Sequence, residues 1–413
     1  MLTALAWRNL WRNKLRSAIV ITAIAIGITG GIVTDGMMVG MTDQRTNSAI
    51  ANEISNIQIE SPKFLLNNEI RYTLPKNLSL VKKIKGYKEV KGVTARLLCG
   101  AMAGSASAGA GIKVYGVNPS DEKAVSNIYK HIIKGAYLNN NQKIPAVIGE
   151  KLAKKLDLQT NDRLIVTLAD TSGTITSGAF QIVGIYKTSN NIFDAATVFV
   201  RKNDLAALLG FSSDEAHQIA IRLQDNSATD KVLKKIKSDF APQVNSHRIS
   251  VKSWYEVAPL LRSMVEMMNM FSVIFMVVIL IALAFAIVNT MIMSIMERTR
   301  EFGMLMALGL NKKRIFTLIM LETLFLALTG ALLGLAVSLG VVRHYQTAGF
   351  DLTSVAAGMN SIGYSAMVYF RVNTDFYITT IALVILTAFI SAISPARKAL
   401  KLQPATAIRD EQL

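Results

Sequence analysis

Four long apolar runs stand out along the chain, at Ser17 to Met41, Phe271 to Met296, Phe316 to Val342 and Phe376 to Ala396. Each exceeds the roughly 20 residues that a helix rising about 1.5 Å per residue needs to cross about 30 Å of hydrocarbon. The pattern predicts four transmembrane α-helices plus a large α+β extracytoplasmic domain between helices 1 and 2. The expected segments are an amphipathic helix at 1–16, spans at 17–41, 266–296, 316–342 and 376–396, and the inserted domain at 42–265. A charged helix and loop fill 297–315, a second outer loop fills 343–375, and a tail follows at 397–413.

Within the inserted segment, "DRLIVTL", "AFQIVGIY" and "ATVFV" alternate or cluster β-branched residues between Gly, Ser, Asn and Asp, as strands do. "GEKLAKKLDL" and "ATDKVLKKIKSDF" repeat apolar residues at helical spacing. The Gly/Ala/Ser-rich stretch Ala103 to Lys113 is expected to be a mobile loop.

Composition and charge refine this picture. The 413 residues are 51% hydrophobic with a mean hydropathy of +0.35. That is high for a soluble protein and low for one wholly buried in a bilayer, as a mixed architecture requires. Arg8, Arg12, Lys14 and Arg16 precede the first run. Arg298, Arg300, Lys312, Lys313 and Arg314 lie between the second and third, and Arg397, Lys398, Lys401 and Arg409 follow the fourth. The positive-inside rule puts all three segments in the cytoplasm and the inserted domain outside. Residues 42–265 hold 30 Lys/Arg against 19 Asp/Glu, but long domains cross largely regardless of charge. The formal +17 suits anionic lipid or acidic partners; with no aromatic-interleaved basic motif, nucleic acid is not expected. The first run outlasts a signal-peptide core of roughly 7 to 15 residues and ends in no A-x-A site, so it reads as a retained span. Cys99 has no partner for an internal disulfide and reads as a small buried residue.

Candidate chemistry is sparse. The sequence holds no G-x-x-x-x-G-K-[ST] loop, no paired-His or C-x-x-C metal spacing and no G-x-S-x-G elbow. The chain is therefore not expected to be an enzyme or to carry a cofactor or metal, and its energy must come from a partner. Two acidic residues fall in apolar runs. Glu322 is expected to pair with Arg314 or Lys313, and Asp35, near the outer end of its helix, to reach water.

The charged stretch "MERTREFGMLMALGLNKKRIF", between two spans, places Phe302, Leu305, Met306 and Gly309 at i, i+3, i+4 and i+7. Glu297, Arg298, Arg300 and Glu301 spread over the other side. These eight residues are the expected contact with a soluble partner, and Gly309 is expected to end the helix in a left-handed cap. With its flanks, "NTMIMSIMERTREFGMLMALGLNKKRIFTLIMLE" resembles the coupling segment of FtsX/MacB-type permeases of ABC transporters, E-R-x-x-E-[FI]-G-x-[LM]-[RK]-A-[LI]-G. "LAWRNLWRNKLRS" resembles that superfamily's elbow helix, and "SPARKALKLQPATAIRDE" its tail. "IPAVIGEKLAKKLDLQTNDRLIVTL", "FQIVGIYKTSNNIFDAATVFVRKNDLAALLG" and "VYGVNPSDEKAV" resemble the lipoprotein-releasing, LolC/LolE-type branch. Three positions depart from the pattern. Met306 stands where Arg or Lys is common, Asn161 replaces the Gly of an L-x-x-G-D turn, and Thr171 to Gly178 is shorter than the carrier-docking hook.

The resemblance implies a multi-pass protein of the bacterial inner membrane with its large domain in the periplasm. A separate ATPase dimer that binds Mg-ATP would drive a second permease copy together with this one. Membrane lipids, a lipoprotein substrate and a periplasmic lipoprotein carrier are the further partners implied. A MacB-like exporter of peptides or small molecules, and an FtsX-like regulator of cell-wall hydrolases, stay open beside lipoprotein release. Met37, Met41, Met264, Met268, Phe271 and Phe275, flexible or aromatic residues near the outer ends of the first two spans, are the expected lining of a cavity for lipid chains. Gly27/Gly31, Gly36/Gly40 and Gly330/Gly334 each form G-x-x-x-G, suited to close helix contact.

Overall fold

The computed structural model describes residues 2–400 apart from 68, 75, 76, 107, 140–142, 213 and 308. The tail motif beyond Leu400, with Lys401 and Arg409, lies outside the described residues. The chain divides into two units. One is Met1–Thr42, Val265–Asp351 and Met367–Leu413; the other is Asp43–Met264 and Leu352–Ala366.

The helices that carry the apolar runs, with two short ones beside them, are α1 (Leu2–Arg12), α2 (Lys14–Ala49), α3 (Pro259–Glu297), α4 (Thr299–Ala307), α5 (Lys312–Ala348) and α6 (Thr374–Leu400). Of these, α2, α3, α5 and α6 are long and apolar enough to cross a membrane. They are also longer than the runs that announced them. The 36 residues of α2 extend about 54 Å, well beyond the hydrocarbon thickness. Hydropathy marks only the lipid-facing part of such a helix. The polar continuation after Met41 carries no Gly or Pro, so nothing local ends it there.

Small residues bring the spans together. At Gly330 of α5 a Cβ would meet Ile24 Cβ at 2.8 Å, and at Gly334 it would meet Ala25 O at 2.8 Å. Thr29 Oγ1 on α2 donates to Gly334 O at 3.2 Å. Gly36 and Gly40 instead admit the segment before α6, where Arg371 N donates to Gly36 O at 2.9 Å. Gly27 and Gly31 face side-chain atoms on α3, from Leu283 and from Met276 and Ile279 respectively, and no backbone. Asp35 does not reach water as expected. It is 6% exposed and accepts a hydrogen bond from Ser272 Oγ of α3, a partner remote in sequence.

The second unit is built on ten described strands: β1 (Ile57–Glu60), β2 (Val90–Gly104), β3 (Gly109–Val117), β4 (Ile132–Gly135), β5 (Pro145–Gly149), β6 (Arg163–Ala169), β7 (Ile175–Tyr186), β8 (Thr197–Arg201), β9 (Gln218–Leu223) and β10 (Ser250–Ser253). Their order is β10-β1-β9-β2-β3-β8-β5-β7-β4, with β6 bridging β2 and β7. The long β2 joins two lobes. Through Arg96 it pairs with β9, and from Leu97 onward with β3. One lobe packs Ile57, Ile219, Val232 and Ile236, the last two from the helix Thr229–Asp239. The other packs Leu97, Leu152, Phe180 and Leu205.

A buried polar chain sits where β2 changes partners. Arg96 donates to both oxygens of Glu122, at 3.0 and 2.6 Å, and to Gln218 at 3.1 Å; Gln218 donates to Glu60 at 2.6 Å. Every member finds a partner, as burial demands.

Most of the stretch Ala103 to Lys113 is strand and not mobile loop: residues 103–104 and 109–113 belong to the β2–β3 hairpin, in register to Gly104 opposite Gly109. Its small residues read as linker, yet Ala103 and Ala110 are 1% and 3% exposed and pack into the core. Asn161 takes the left-handed conformation at φ 76° that the turn needs. The segment expected as a simple outer loop at 343–375 is also more structured. Phe350–Asp351 pairs with Met367–Val368, and Leu352–Ala366 belongs to the second unit. Cys99 is buried, and burial pushes its thiol up to about 12.

Candidate cytoplasmic coupling site

Helix α1 is amphipathic and docks on α5 by one side. Ala6 and Leu10 are buried, and Trp7 meets Phe325 edge-on with ring centroids 5.6 Å apart. Trp7 and Trp11 remain about half exposed, as interfacial aromatics do. The chain bends at Asn13, where Ser17 Oγ donates to Leu10 O at 2.5 Å, and then enters α2.

This bend delivers Asn9, Arg12 and Arg16 to the junction of α3, α4 and α5. Arg12 pairs with Glu301 at 2.5 Å, and Arg16 pairs with Glu297. Arg298 lies at the centre. Its Nη1 donates to both oxygens of Glu322, at 3.1 and 2.9 Å, and its Nε to Glu301 at 3.0 Å. Asn9 Nδ2 adds a third contact to Glu322 at 2.7 Å. Three arginines and three glutamates thus balance around a cavity of about 280 Å³.

Electrostatics favour the charged states of Arg298 and Glu301. Burial works to lower the pKa of Arg298, but Glu322 and Glu301 outweigh it and raise it. Burial raises that of Glu301, and the hydrogen bonds from Arg12 and Arg298 bring it below the ordinary value. The arrangement joins three stretches remote in sequence, 9–16, 297–301 and 322, and gives each of these six charges a partner.

The residues expected to meet an ATPase divide into two groups. Arg298 is turned inward, with 14% of its side chain exposed, and not outward as the helical wheel implied. Phe302 is 1% exposed, under the Arg298 guanidinium at 5.0 Å from its ring centroid. It anchors α4 and cannot be a knob for a partner. The reason lies in the break between α3 and α4 at Arg298, which rotates α4 relative to a helix continuing from Glu297. Glu297, Arg300 and Gly309 are exposed, and Glu301, Leu305 and Met306 half-buried. Met304, 52% exposed, joins this outer surface. Sequence reading missed it because it lies between the two faces of the wheel. Gly309, at φ 89°, ends the helix: its N–H bonds Met306 O at 3.1 Å, and that of Leu310 bonds Leu305 O at 3.0 Å. Glu322 does not pair with Lys313 or Arg314, since its partners come from α1 and from the start of the coupling stretch.

At the outer ends of the first two spans, Met37, Met41, Met264 and Met268 are half-buried, and Phe271 and Phe275 are 38% and 48% exposed. On α3 the two phenylalanines extend an open apolar stripe with Met267, Ile274 and Val278.

Comparison with known proteins places both regions. Residues 17–239 match the MacB-like periplasmic core domain and residues 273–404 the FtsX-like permease C-terminal region. The chain is 24% identical to an uncharacterized ABC transporter permease, MJ1507, of Methanocaldococcus jannaschii, over 98% of this chain and 97% of that protein. It is 21% identical to the lipoprotein-releasing system transmembrane protein LolC of Buchnera aphidicola, over 98% and 97%. It is 24% identical to the pyoverdine export ATP-binding/permease protein PvdT of Pseudomonas syringae, over 98% of this chain but 59% of that one. The α/β domain inserted after the first span is thus of the periplasmic type, on a multi-span protein of the inner membrane. With more than half its length in the first match, the chain belongs to the MacB-like periplasmic core domain family and is an ABC transporter permease of the MacB/FtsX type.

Proposed function

We propose that this permease uses the motion of a separate ATPase dimer to release lipoproteins from the outer leaflet of the inner membrane. The ATPase grips α4 through Glu301, Met304, Leu305 and Met306. The Arg298-centred ion pairs pass its movement to α1 and α5, and α2 and α3 carry it outward as continuous helices. A second permease copy completes the assembly around one ATPase dimer.

The observation that carries the cargo reading is the exposed stripe of Met267, Phe271, Ile274, Phe275 and Val278 on α3. Acyl chains leaving a bilayer lose about 0.8 kcal/mol per methylene exposed to water. Extraction therefore needs a replacement apolar surface, and methionine-rich surface adapts to chains of varied shape. Similarity to LolC over nearly the whole of both chains supports the same reading. Similarity to PvdT favours a second one, export of a small molecule from the periplasm by the same motion. The loop between β6 and β7 spans only Asp170 to Thr174, which speaks against a carrier docking on a hook there.

The test is release of a triacylated lipoprotein from proteoliposomes holding the permease and its ATPase. ATP should drive release, and Met268→Asp or Phe271→Asp should cut it at least tenfold while ATP hydrolysis persists. ATP-dependent movement of a small amphipathic molecule, with the lipoprotein left in the membrane, would instead establish the second reading.

A further inference from the structure

Five buried side-chain nitrogen or oxygen atoms among the described residues have no hydrogen-bond partner: Arg45 Nε, Asn52 Oδ1, Thr94 Oγ1, Arg222 Nη1 and Thr380 Oγ1. Two of these, on Asn52 and Arg222, belong to residues lining one cavity of about 450 Å³ in the outward domain, beside Ser48, Asn127 and His131. No carboxylate is among its described lining residues.

Arg222 differs from the other arginines buried in this domain. Arg45 has Glu53 at 2.8 Å, Arg96 has Glu122 at 2.6 Å, and Arg201 has Asp204 at 2.7 Å. Arg222 projects from β9, where burial pushes its pKa down with no anion to restore it. The residue as a whole is half-buried, but its Nη1 is buried without a hydrogen-bond partner, and that donor calls for an explanation. Asn52 is 6% exposed; its Nδ2 donates to Ser48 Oγ at 3.2 Å, which leaves Oδ1 as an idle acceptor. His131 is held toward its neutral form by burial and by Lys130, so one ring nitrogen donates and the other accepts.

An occupant that satisfies both orphans must offer anionic oxygen to the guanidinium and a hydroxyl to the amide. A phosphate group meets both needs, either as protonated inorganic phosphate or as a phosphodiester beside a headgroup hydroxyl. The cavity wall also includes Gln44, Asn47 and Ser48 of α2.

We propose that this cavity is a phosphate-binding site, with Arg222 as the anion contact and Asn52 as the acceptor for an adjacent hydroxyl. The site is independent of the cargo assigned above, so failure of either leaves the other standing.

The full chain in phosphate-free detergent micelles is titrated with dihexanoyl-phosphatidylglycerol, with inorganic phosphate and with dihexanoylglycerol, and thermal unfolding is followed. The wild type should gain a saturable upward shift with a phosphate-bearing probe and none with dihexanoylglycerol. A shift with the lipid alone identifies a headgroup site, and an equal shift with inorganic phosphate a free-anion site. Arg222→Gln should weaken binding at least tenfold, and Arg222→Lys less. Without ligand, Arg222→Gln should melt no lower than wild type, because it removes an uncompensated cation. Asn52→Asp, which adds a carboxylate to the wall of the same cavity, should also abolish the shift. No saturable shift in the wild type would mean that water alone fills the cavity, and would overturn the proposal. So would a shift that survives at full strength in Arg222→Gln or Asn52→Asp.

Discussion

Arg298 and Glu322 form the least replaceable contact of the coupling site. With side chains 14% and 9% exposed, neither charge tolerates loss of the other. Removing one partner of such a buried pair costs about 3 to 5 kcal/mol. Arg298→Ala is expected to lower stability at the small end of that range, since the cavity of about 280 Å³ beside it admits water. Glu322→Gln keeps an oxygen acceptor and should cost less. In a double-mutant cycle read by thermal unfolding in detergent, the pair should show a coupling energy of about 1 to 3 kcal/mol. Additivity would mean that the two side chains do not sense each other. Sequence pattern announced the presence of these residues but not their pairing. Lys313 and Arg314 are nearest to Glu322 along the chain, and local reasoning favours near neighbours. The observed partners, Asn9 and Arg298, reach it only because α1 folds back over α5 and the chain breaks between α3 and α4.

At the scale of elements, the three G-x-x-x-G patterns look alike in sequence and differ in use. Gly334 lies against backbone and a branched side chain of α2, neither of which can retreat. Gly31 faces the end of the flexible Met276 side chain at 3.4 Å. Gly334→Ala should therefore destabilise the chain by about 1 to 3 kcal/mol through overpacking. Gly31→Ala should stay within about 0.5 kcal/mol or gain slightly from helix propensity. Thermal unfolding of the two variants in detergent separates these outcomes, and equal effects would remove the assigned packing role from α5. Strands β6, β7 and β8 and the helices Glu150–Leu156 and Thr229–Asp239 were legible, because each carries a clear period-2 or helical repeat. The β2–β3 hairpin was not, since Gly, Ala and Ser carry no period. What holds it is pairing with β6, β8 and β9, which no local window contains. The outer surface of α4 was half legible. Its helical repeat was sound, but its rotation depends on a break that hydropathy does not mark.

At the scale of the molecule, the apolar runs and the distribution of basic residues were enough to specify a four-span membrane protein with a domain inserted after the first span, and the resemblance of the coupling segment added the permease family. They were not enough to specify cargo, because the acyl-binding surface proposed on α3 has the composition of any lipid-facing helix. Coupling across the bilayer requires that α4 and the inserted domain lie on opposite sides of the membrane, so that work done on one is felt by the other. Single cysteines at Glu301→Cys and Lys143→Cys, in a Cys99→Ala background, test this in intact cells with a membrane-impermeant maleimide. Cys99 is buried with its thiol pushed up to about 12, so its replacement serves only to silence background. The expected result is labelling of Lys143→Cys once the outer surface is accessible, and of Glu301→Cys only after the inner membrane is permeabilised. Labelling of both positions from the same compartment would contradict the account.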